Sequence, residues 1–401
     1  MMSISKSNEL RNKLSLINIY MSLIMIMPIS TLLQDKISAI NRVIFFLIFC
    51  TQIVIICNKI TWKYLFIFQI ALTSYIIVVM NTENFKIDNA VIYFINFILY
   101  SGVICINKKQ IISWIEENSK YIRCVMIIWT IAVTISIFIP SCYYIKEGGG
   151  RYFGSYVGTI FRLGPTALFI EILALVSITF YKRNKDILFM IVPIYCGFMG
   201  SSRTYFVIII CVFCIALYIM SRNSWSFILK FGPLTIVGIL LFSMSSMSEK
   251  VRHTLNPNDY GDFWFRITSS RSVIWEKIIN GFNNLSFFKK IFGGGFGFSN
   301  SVANHYAHND FIEILATHGY IGIILYTISI ILLVKVLLKN KKIPIFIIYM
   351  CIFIWIFNAF FNMFYWYICA ALSYPFLLLA TSYHYDEKEK KNYYDCRREI
   401  K

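Results

Sequence analysis

Three observations predict an all-α, polytopic membrane protein. Hydrophobic residues make up 58% of the 401, and charged residues only 14%. Mean hydropathy is +0.65, more apolar surface than a water-soluble domain hides. Apolar runs approaching the length that crosses hydrocarbon as a helix recur along the chain. A membrane β-barrel would instead show short alternating strands. The net charge of +18 is read as basic cytoplasmic loops, not as a nucleic-acid surface.

In order, the apolar runs predict about twelve spans. They lie at 14–33, 43–57, 64–80, 90–106, 124–140, 163–181, 187–201, 204–220, 231–247, 319–338, 343–361 and 364–382. The first lacks a small-residue cleavage site and is read as a retained span. Gly164-Pro165 and Pro193 interrupt two spans. Such breaks survive where neighbouring helices satisfy the freed backbone groups. Cys211 and Cys214 form a C-x-x-C inside a span with no second pair, so no metal site is read there.

Charge sets the orientation. With the N-terminus cytoplasmic, the inner loops carry Lys108, Lys109, Lys120 and Arg123, then Lys182, Arg183 and Lys185, then Lys339, Lys341 and Lys342. Short outer loops hold far fewer cations, so both termini are expected in the cytoplasm. The chain is then one integral membrane domain, 1–401. Its long polar segment, 248–318, is extracytoplasmic and carries part of the active site. A mixed-charge tail, 383–401, is cytoplasmic and partly disordered.

That segment ends in GGGFGFSNSVANHYAHNDFIEILATHGYIG, from Gly293 to Gly322. Gly295 and its neighbours are glycines that let backbone approach a ligand closely. Three of the five histidines follow: His305, His308 and His318. His308, followed by Asn309, opens an amphipathic segment expected to form a short helix before the next span. Neutral, it is a candidate base; charged, it is a candidate phosphate ligand. Helix capping is the plain alternative for this pair. Arg203, in GSSRT at a span start, is read as an anion contact in an outward cavity or as a snorkelling cation. Arg266 and Arg271, in FRITSSRSVIW, are candidate phosphate ligands, as is Arg151 after a glycine triplet. Glu171, in mid-span, is a substrate contact or the structural partner of Arg162 or Arg203. The chain contains no D-x-D pair, P-loop, H-E-x-x-H or G-x-S-x-G. No metal and no cofactor are therefore expected.

On these residues the chain resembles the O-antigen polymerase and O-antigen ligase superfamily of bacterial inner membranes. His308-Asn309, nine residues, Gly319 and then Gly322 fit the ligase pattern H-[NSQ]-x9-G-x-x-[GTY]. Arg271 to Trp275 looks like the family's R-x3-W, IFGGGFG like its G-x-G run, and GSSRT like its S-R at a helix start. Arg151 to Gly154 is a looser match that lacks the N-P-N-type turn. The matching features cover about residues 150 to 325.

The resemblance implies a GT-C-like membrane fold at the bacterial inner membrane, with a periplasmic site. It implies a metal-independent, inverting transferase acting on undecaprenyl-pyrophosphate-linked oligosaccharide. His308, Arg203 and Arg271 would be catalytic. Arg151, Arg266, Asn309, Gly295 and Glu171 would bind substrate. Membrane lipids and a polysaccharide chain-length regulator are the further expected partners. Polymerisation of repeat units into O-antigen chains is the favoured reading, because the Ile-, Asn- and Lys-rich composition suits polysaccharide gene clusters. The alternatives are ligation to lipid A-core and lipid-linked oligosaccharide flipping.

Overall fold

Every side chain from Leu163 to Phe180 is buried, so the helix Ile160–Tyr181 has no face left for lipid. A helix that is apolar all round belongs in a core. The computed structural model describes residues 2–34, 36–59, 89–145, 151–200, 202–221, 226, 229, 232, 246–256, 261–339 and 342–399. Ahead of the central helix, α5, come α1 (Met2–Leu32), α2 (Ser38–Lys59), α3 (Asn89–Glu117) and α4 (Ser119–Ile137). After it come α6 (Ile191–Met199) and α7 (Arg203–Ile219). The short helices α8 (Ser246–Leu255), α9 (Phe263–Ile267), α10 (Arg271–Asn283), α11 (Phe287–Phe292) and α12 (Phe298–Ala303) make up the polar segment. The long helices α13 (Asp310–Leu337), α14 (Ile345–Phe361) and α15 (Ile368–Glu399) follow.

Helices α1, α4, α6, α7 and α15 pack directly on α5. Phe169 meets Phe376 of α15 with ring centroids 6.1 Å apart. Gly164 admits the Tyr205 ring of α7, since a Cβ there would lie 2.3 Å from it. Along its axis α5 covers about 30 Å, the thickness of a bilayer's hydrocarbon core. Five helices of the described residues are long and apolar enough to cross a membrane. The chain is thus membrane-embedded and mainly helical.

The two ends of the bundle differ. At the Tyr181 end, Tyr181 donates to the Ile115 carbonyl and Lys182 lies over the Tyr383 ring. Tyr383 in turn donates to Glu116 at 2.8 Å. Lys108 reaches the last carbonyls of α13 from the same end. At the Ile160 end stand Thr159, Ser202, Arg203 and the end of α14. The loop lysines expected in the cytoplasm therefore gather about 30 Å from Arg203.

Three expectations change. The stretch 187–201 is not one membrane helix. It passes from the basic end toward Arg203 as a 3₁₀ stretch, Asn184–Met190, continued by the nine-residue α6. Buried Asp186, bonded by Ser177 and 3.6 Å from Arg123, holds the 3₁₀ stretch in place. The fold also contains a two-stranded antiparallel hairpin, β1 (Tyr143–Ile145) and β2 (Arg151–Phe153), with Tyr144 opposite Tyr152. The charged tail continues α15 as helix to Glu399. The run at 64–80, and nearly all of 231–247, fall outside the described residues.

The glycine cluster makes a crossing of two backbones. Gly319 breaks α13 with φ +65° and ψ −161°, a region essentially reserved for glycine. A Cβ on Gly319 would lie 2.4 Å from the Ile291 carbonyl oxygen; one on Gly293 would lie 2.0 Å from that of Thr317. The Gly294 and Gly295 N–H groups donate to the Ala316 and Thr317 carbonyls at 2.8 and 3.3 Å. Gly295, expected to let a ligand approach, takes a positive φ of 91° and gives its N–H to this crossing. Gly322 completes the joint, because a Cβ there would meet that of His318 at 2.3 Å.

Gly319→Ala is expected to lower the midpoint of thermal unfolding in detergent sharply. Backbone strain alone costs about 1–3 kcal/mol, before the clash is counted. Gly102→Ala, mid-helix with nothing within 4 Å, is expected to leave the midpoint unchanged or raise it. Size-exclusion fluorescence after heating reads both.

Candidate active site

The sequence places small hydroxyl residues just before two helix starts, and both starts open on one cleft. Arg203 is the first residue of α7 and Arg271 the first of α10. Both line a cleft of about 310 Å³ at the Ile160 end of α5. Ser202, Thr268 and Ser269 line it with them. Tyr144 and Tyr152 of the hairpin, Phe161, Phe357 and Phe361 give it aromatic walls. A helix start carries partial positive charge, so the cleft gains two such dipoles besides two guanidinium groups.

Each arginine is held by neutral groups. Arg203 donates to Thr254 Oγ1 at 2.6 Å and also to Ser269 Oγ. Arg271 donates to the carbonyl of Phe361, the last residue of α14, and Thr204 reaches the same carbonyl at 3.5 Å. Among the described residues neither arginine has a carboxylate within ion-pair distance. Burial pushes the Arg271 guanidinium below its ordinary value; Tyr367 opposes this and nearby Arg203 adds to it. Two cations are thus held together, partly out of water, with no carboxylate of the described residues paired to either. Such charge is costly unless a counter-ion arrives. Ser269 and Ser270, beside them, both take left-handed backbone at φ 56° and 64°, strain of the kind that clusters at ligand sites.

His308 adjoins this cleft through Phe161, whose ring it stacks on with centroids 6.4 Å apart. His305 lies 5.1 Å from it, ring to ring. His308 also has a left-handed backbone, φ 49°, and the residues around it are clamped. Buried Glu313 accepts the Ala307 N–H at 2.8 Å, and Trp275 Nε1 donates to the Ala307 carbonyl at 2.6 Å. The R-x3-W spacing explains the second contact. One turn of α10 separates Arg271 from Trp275, so the same helix face lines the cleft and fastens the His308 segment. Buried Asp310 accepts from Tyr326 and from the Tyr365 N–H, fixing the start of α13 to the following helices.

Burial, then the charges of Arg271 and His305, lower the His308 pKa to about 3. Its Nδ1 is buried without a partner. At neutral pH the ring is therefore uncharged. An uncharged ring is the form a base needs, and a pyrophosphate entering the cleft would raise its proton affinity, so both roles the sequence leaves open stand.

Other expected site residues lie elsewhere. Asn309 caps α13, its Oδ1 accepting the Ile312 N–H at 3.2 Å, and it does not line the cleft. This is the capping alternative, although its Nδ2 stays buried and unpartnered. Arg266 turns onto the carbonyls of Thr254 and Gly261 and ties α9 to α8. Glu171 is fully buried in α5, about 13 Å of helix rise beyond Arg162, with neither oxygen hydrogen-bonded. It partners neither arginine and does not reach the cleft. Arg151 begins β2 opposite Ile145, at the rim beside Tyr152; its side chain lies outside the described residues. His318 stacks on Phe94 at 4.3 Å inside the bundle, apart from the site as its spacing implies. Glu313 and Phe361 are the contributors the sequence does not single out. Glu313 has a signal, a carboxylate in an apolar helix, whereas the Phe361 carbonyl has none.

No family model, no curated protein and no solved structure matches this chain.

His308 carries the pH prediction. An imidazole whose folded pKa lies below its unfolded value, about 6.5, binds its proton more weakly when folded. Its contribution to stability is complete above that value and is lost as pH falls toward 3. His308→Gln is expected to show a shallower acid loss of thermal stability below about pH 6.5. An unfolding series from pH 7 to 4, wild type against variant, checks it.

Proposed function

We propose that this chain is an O-antigen polymerase, extending undecaprenyl-pyrophosphate-linked oligosaccharide at the outer face of the bacterial inner membrane. The observation that carries the reading is one cleft, at the bundle end opposite the clustered loop lysines, where Arg203 and Arg271 meet with no carboxylate partner among the described residues and an uncharged His308 adjoins. The opposition of the two ends supports cytoplasmic termini and a periplasmic site. About twelve spans and a GT-C-like arrangement complete the topology.

In this mechanism the two arginines receive the pyrophosphate of the donor. A hydroxyl of the acceptor repeat unit attacks the anomeric carbon of the growing chain from the face opposite the pyrophosphate. The carbon–oxygen bond to pyrophosphate breaks, its electron pair leaves with the lipid pyrophosphate, and the hydroxyl proton passes to His308. Fixed positive charge on the leaving group is the largest catalytic contribution in such a site. A base adds about 10²–10⁴-fold. The aromatic walls offer flat faces to sugar rings. No metal is needed to neutralise the pyrophosphate, and no cofactor takes part. The fit to H-[NSQ]-x9-G-x-x-[GTY] favours a second reading, ligation of the chain to lipid A-core, which uses the same chemistry with another acceptor. The Gly293–Gly319 crossing accounts for those glycines by folding, so they bear equally on both readings.

Deletion of the gene separates the readings on a lipopolysaccharide gel. A lost polymerase leaves core plus one repeat unit, whereas a lost ligase leaves bare core. Alanine at Arg203 or Arg271 is expected to abolish the long-chain ladder at equal protein level. Lysine is expected to rescue poorly, because it keeps charge but loses the two-pronged contact. Chain extension in detergent is expected to survive a chelator. A reporter fused after Ser299 is expected to be active only as a periplasmic enzyme.

A further inference from the structure

A second cavity, of about 740 Å³, lies between α3 and α13 at the lysine-rich end of the bundle. Lys108 and Lys109 contribute from α3, Lys335 from the last turn of α13 and Lys339 from just beyond it, and no carboxylate of the described residues lines it. Its remaining wall is largely apolar, with Leu332 and Val336 on the α13 side.

The sequence builds this cavity by interrupting α3. Asn107 leaves helical geometry at φ −107° and ψ 16°, and its side chain donates to the Val103 carbonyl at 2.9 Å. The bend delivers Lys108 to the C-terminal carbonyls of α13, Val336 at 3.1 Å and Leu337 at 3.5 Å. A cation is favoured at that end of a helix dipole. Burial holds the Lys108 pKa below its ordinary value; Asp386 opposes this and Lys339 adds to it. Lys108 is thus engaged by the fold. Lys335, on the last turn of α13, and Lys339, two residues past its end, are exposed beside the opening.

A phosphate group fits the ammonium groups of Lys109, Lys335 and Lys339 around a cavity whose remaining wall is largely apolar. It would come from a lipid or from solution, and the surrounding surface favours the lipid. Ile324, Ile328 and Ile331 are exposed on α13, and with Lys335 they follow at steps of four, three and four residues. This spacing makes one continuous stripe on a helix. An acyl chain lying along the stripe brings its headgroup to Lys335. Basic cavities between membrane helices on the cytoplasmic side are suited to anionic headgroups in this way.

We propose that the cavity between α3 and α13 binds the phosphate headgroup of an anionic phospholipid of the cytoplasmic leaflet. The proposal rests on the membrane-embedded reading of the helices and on the cytoplasmic orientation proposed above, and not on the transfer reaction about 30 Å away. Its test therefore uses no sugar donor.

The full chain, purified in mild detergent, is titrated with phosphatidylglycerol or phosphatidylcholine of the same acyl chains. Bound lipid is counted by native mass spectrometry. Wild type is expected to prefer phosphatidylglycerol at least tenfold, and K335Q/K339Q to bind it about 10–30-fold more weakly. K335R/K339R, which keeps the charge, and K289Q/K290Q, which removes equal charge from the polar segment, are expected to bind as wild type does. Thermal unfolding without added lipid establishes that each variant is folded. If K335Q/K339Q fails that check, Lys109→Gln alone is used, with a weakening of about fivefold expected. Equal affinity for the two lipids would overturn the proposal, as would unchanged binding in a folded lysine-to-glutamine variant. Displacement of phosphatidylglycerol by inorganic phosphate at equal concentration would assign the cavity to a soluble phosphate and overturn the lipid.

Discussion

A helix with no lipid-facing side imposes a rule on everything around it. α5 is buried along its length, so its neighbours must close a complete ring before the bundle is stable in a membrane. Hydrocarbon rewards no apolar contact over another, so the closing force is tight packing rather than escape from water. The Tyr205 ring seated over Gly164 shows how close that packing is. A rigid axle of this kind fixes the distance between the two ends of the bundle. It lets the chain hold a cation-lined cleft at one end and a basic surface at the other.

The broad fold was legible because it is written in composition. Twenty apolar residues in a row have few destinations, and α2, α4, α5, α7 and α13 lie where the runs place them. The passage at 184–199 was harder. Its apolar residues predict a span, but a 3₁₀ stretch and a short helix do the crossing, with Asp186 anchored inside. Hydrophobicity reports where a segment dissolves and says little about the helix it forms there.

The site was legible where charge and burial conflict, and illegible where backbone does the holding. Arg203 and Arg271 stand out as arginines beside apolar runs, and the structure brings them to one cleft. Glu171 sends the same signal and lies far from it, because an isolated letter carries no depth along the helix axis. Arg266 resembles Arg271 in sequence, yet it lies on a different helix and its guanidinium meets the main-chain carbonyls of Thr254 and Gly261. The His308-Asn309 pair divides its labour: the imidazole adjoins the cleft, and the amide caps the helix that carries it. The Phe361 carbonyl, which receives Arg271, leaves no trace in residue type because every residue has one.

The crossing of Gly293 to Gly295 over Thr317 to Gly319 also decides how the polar segment can be exchanged between proteins. The contact is main chain against main chain, so no side-chain change nearby relieves a misfit. A graft that replaces the segment but ends before residue 316 would join one half of the joint to a foreign other half. A graft from residue 261 to residue 322 carries both halves, together with Arg271, Trp275, His308 and Glu313. Such a graft moves the joint and the side chains it fixes as one piece, so whatever this segment recognises would travel as a cassette of that length rather than as single substitutions.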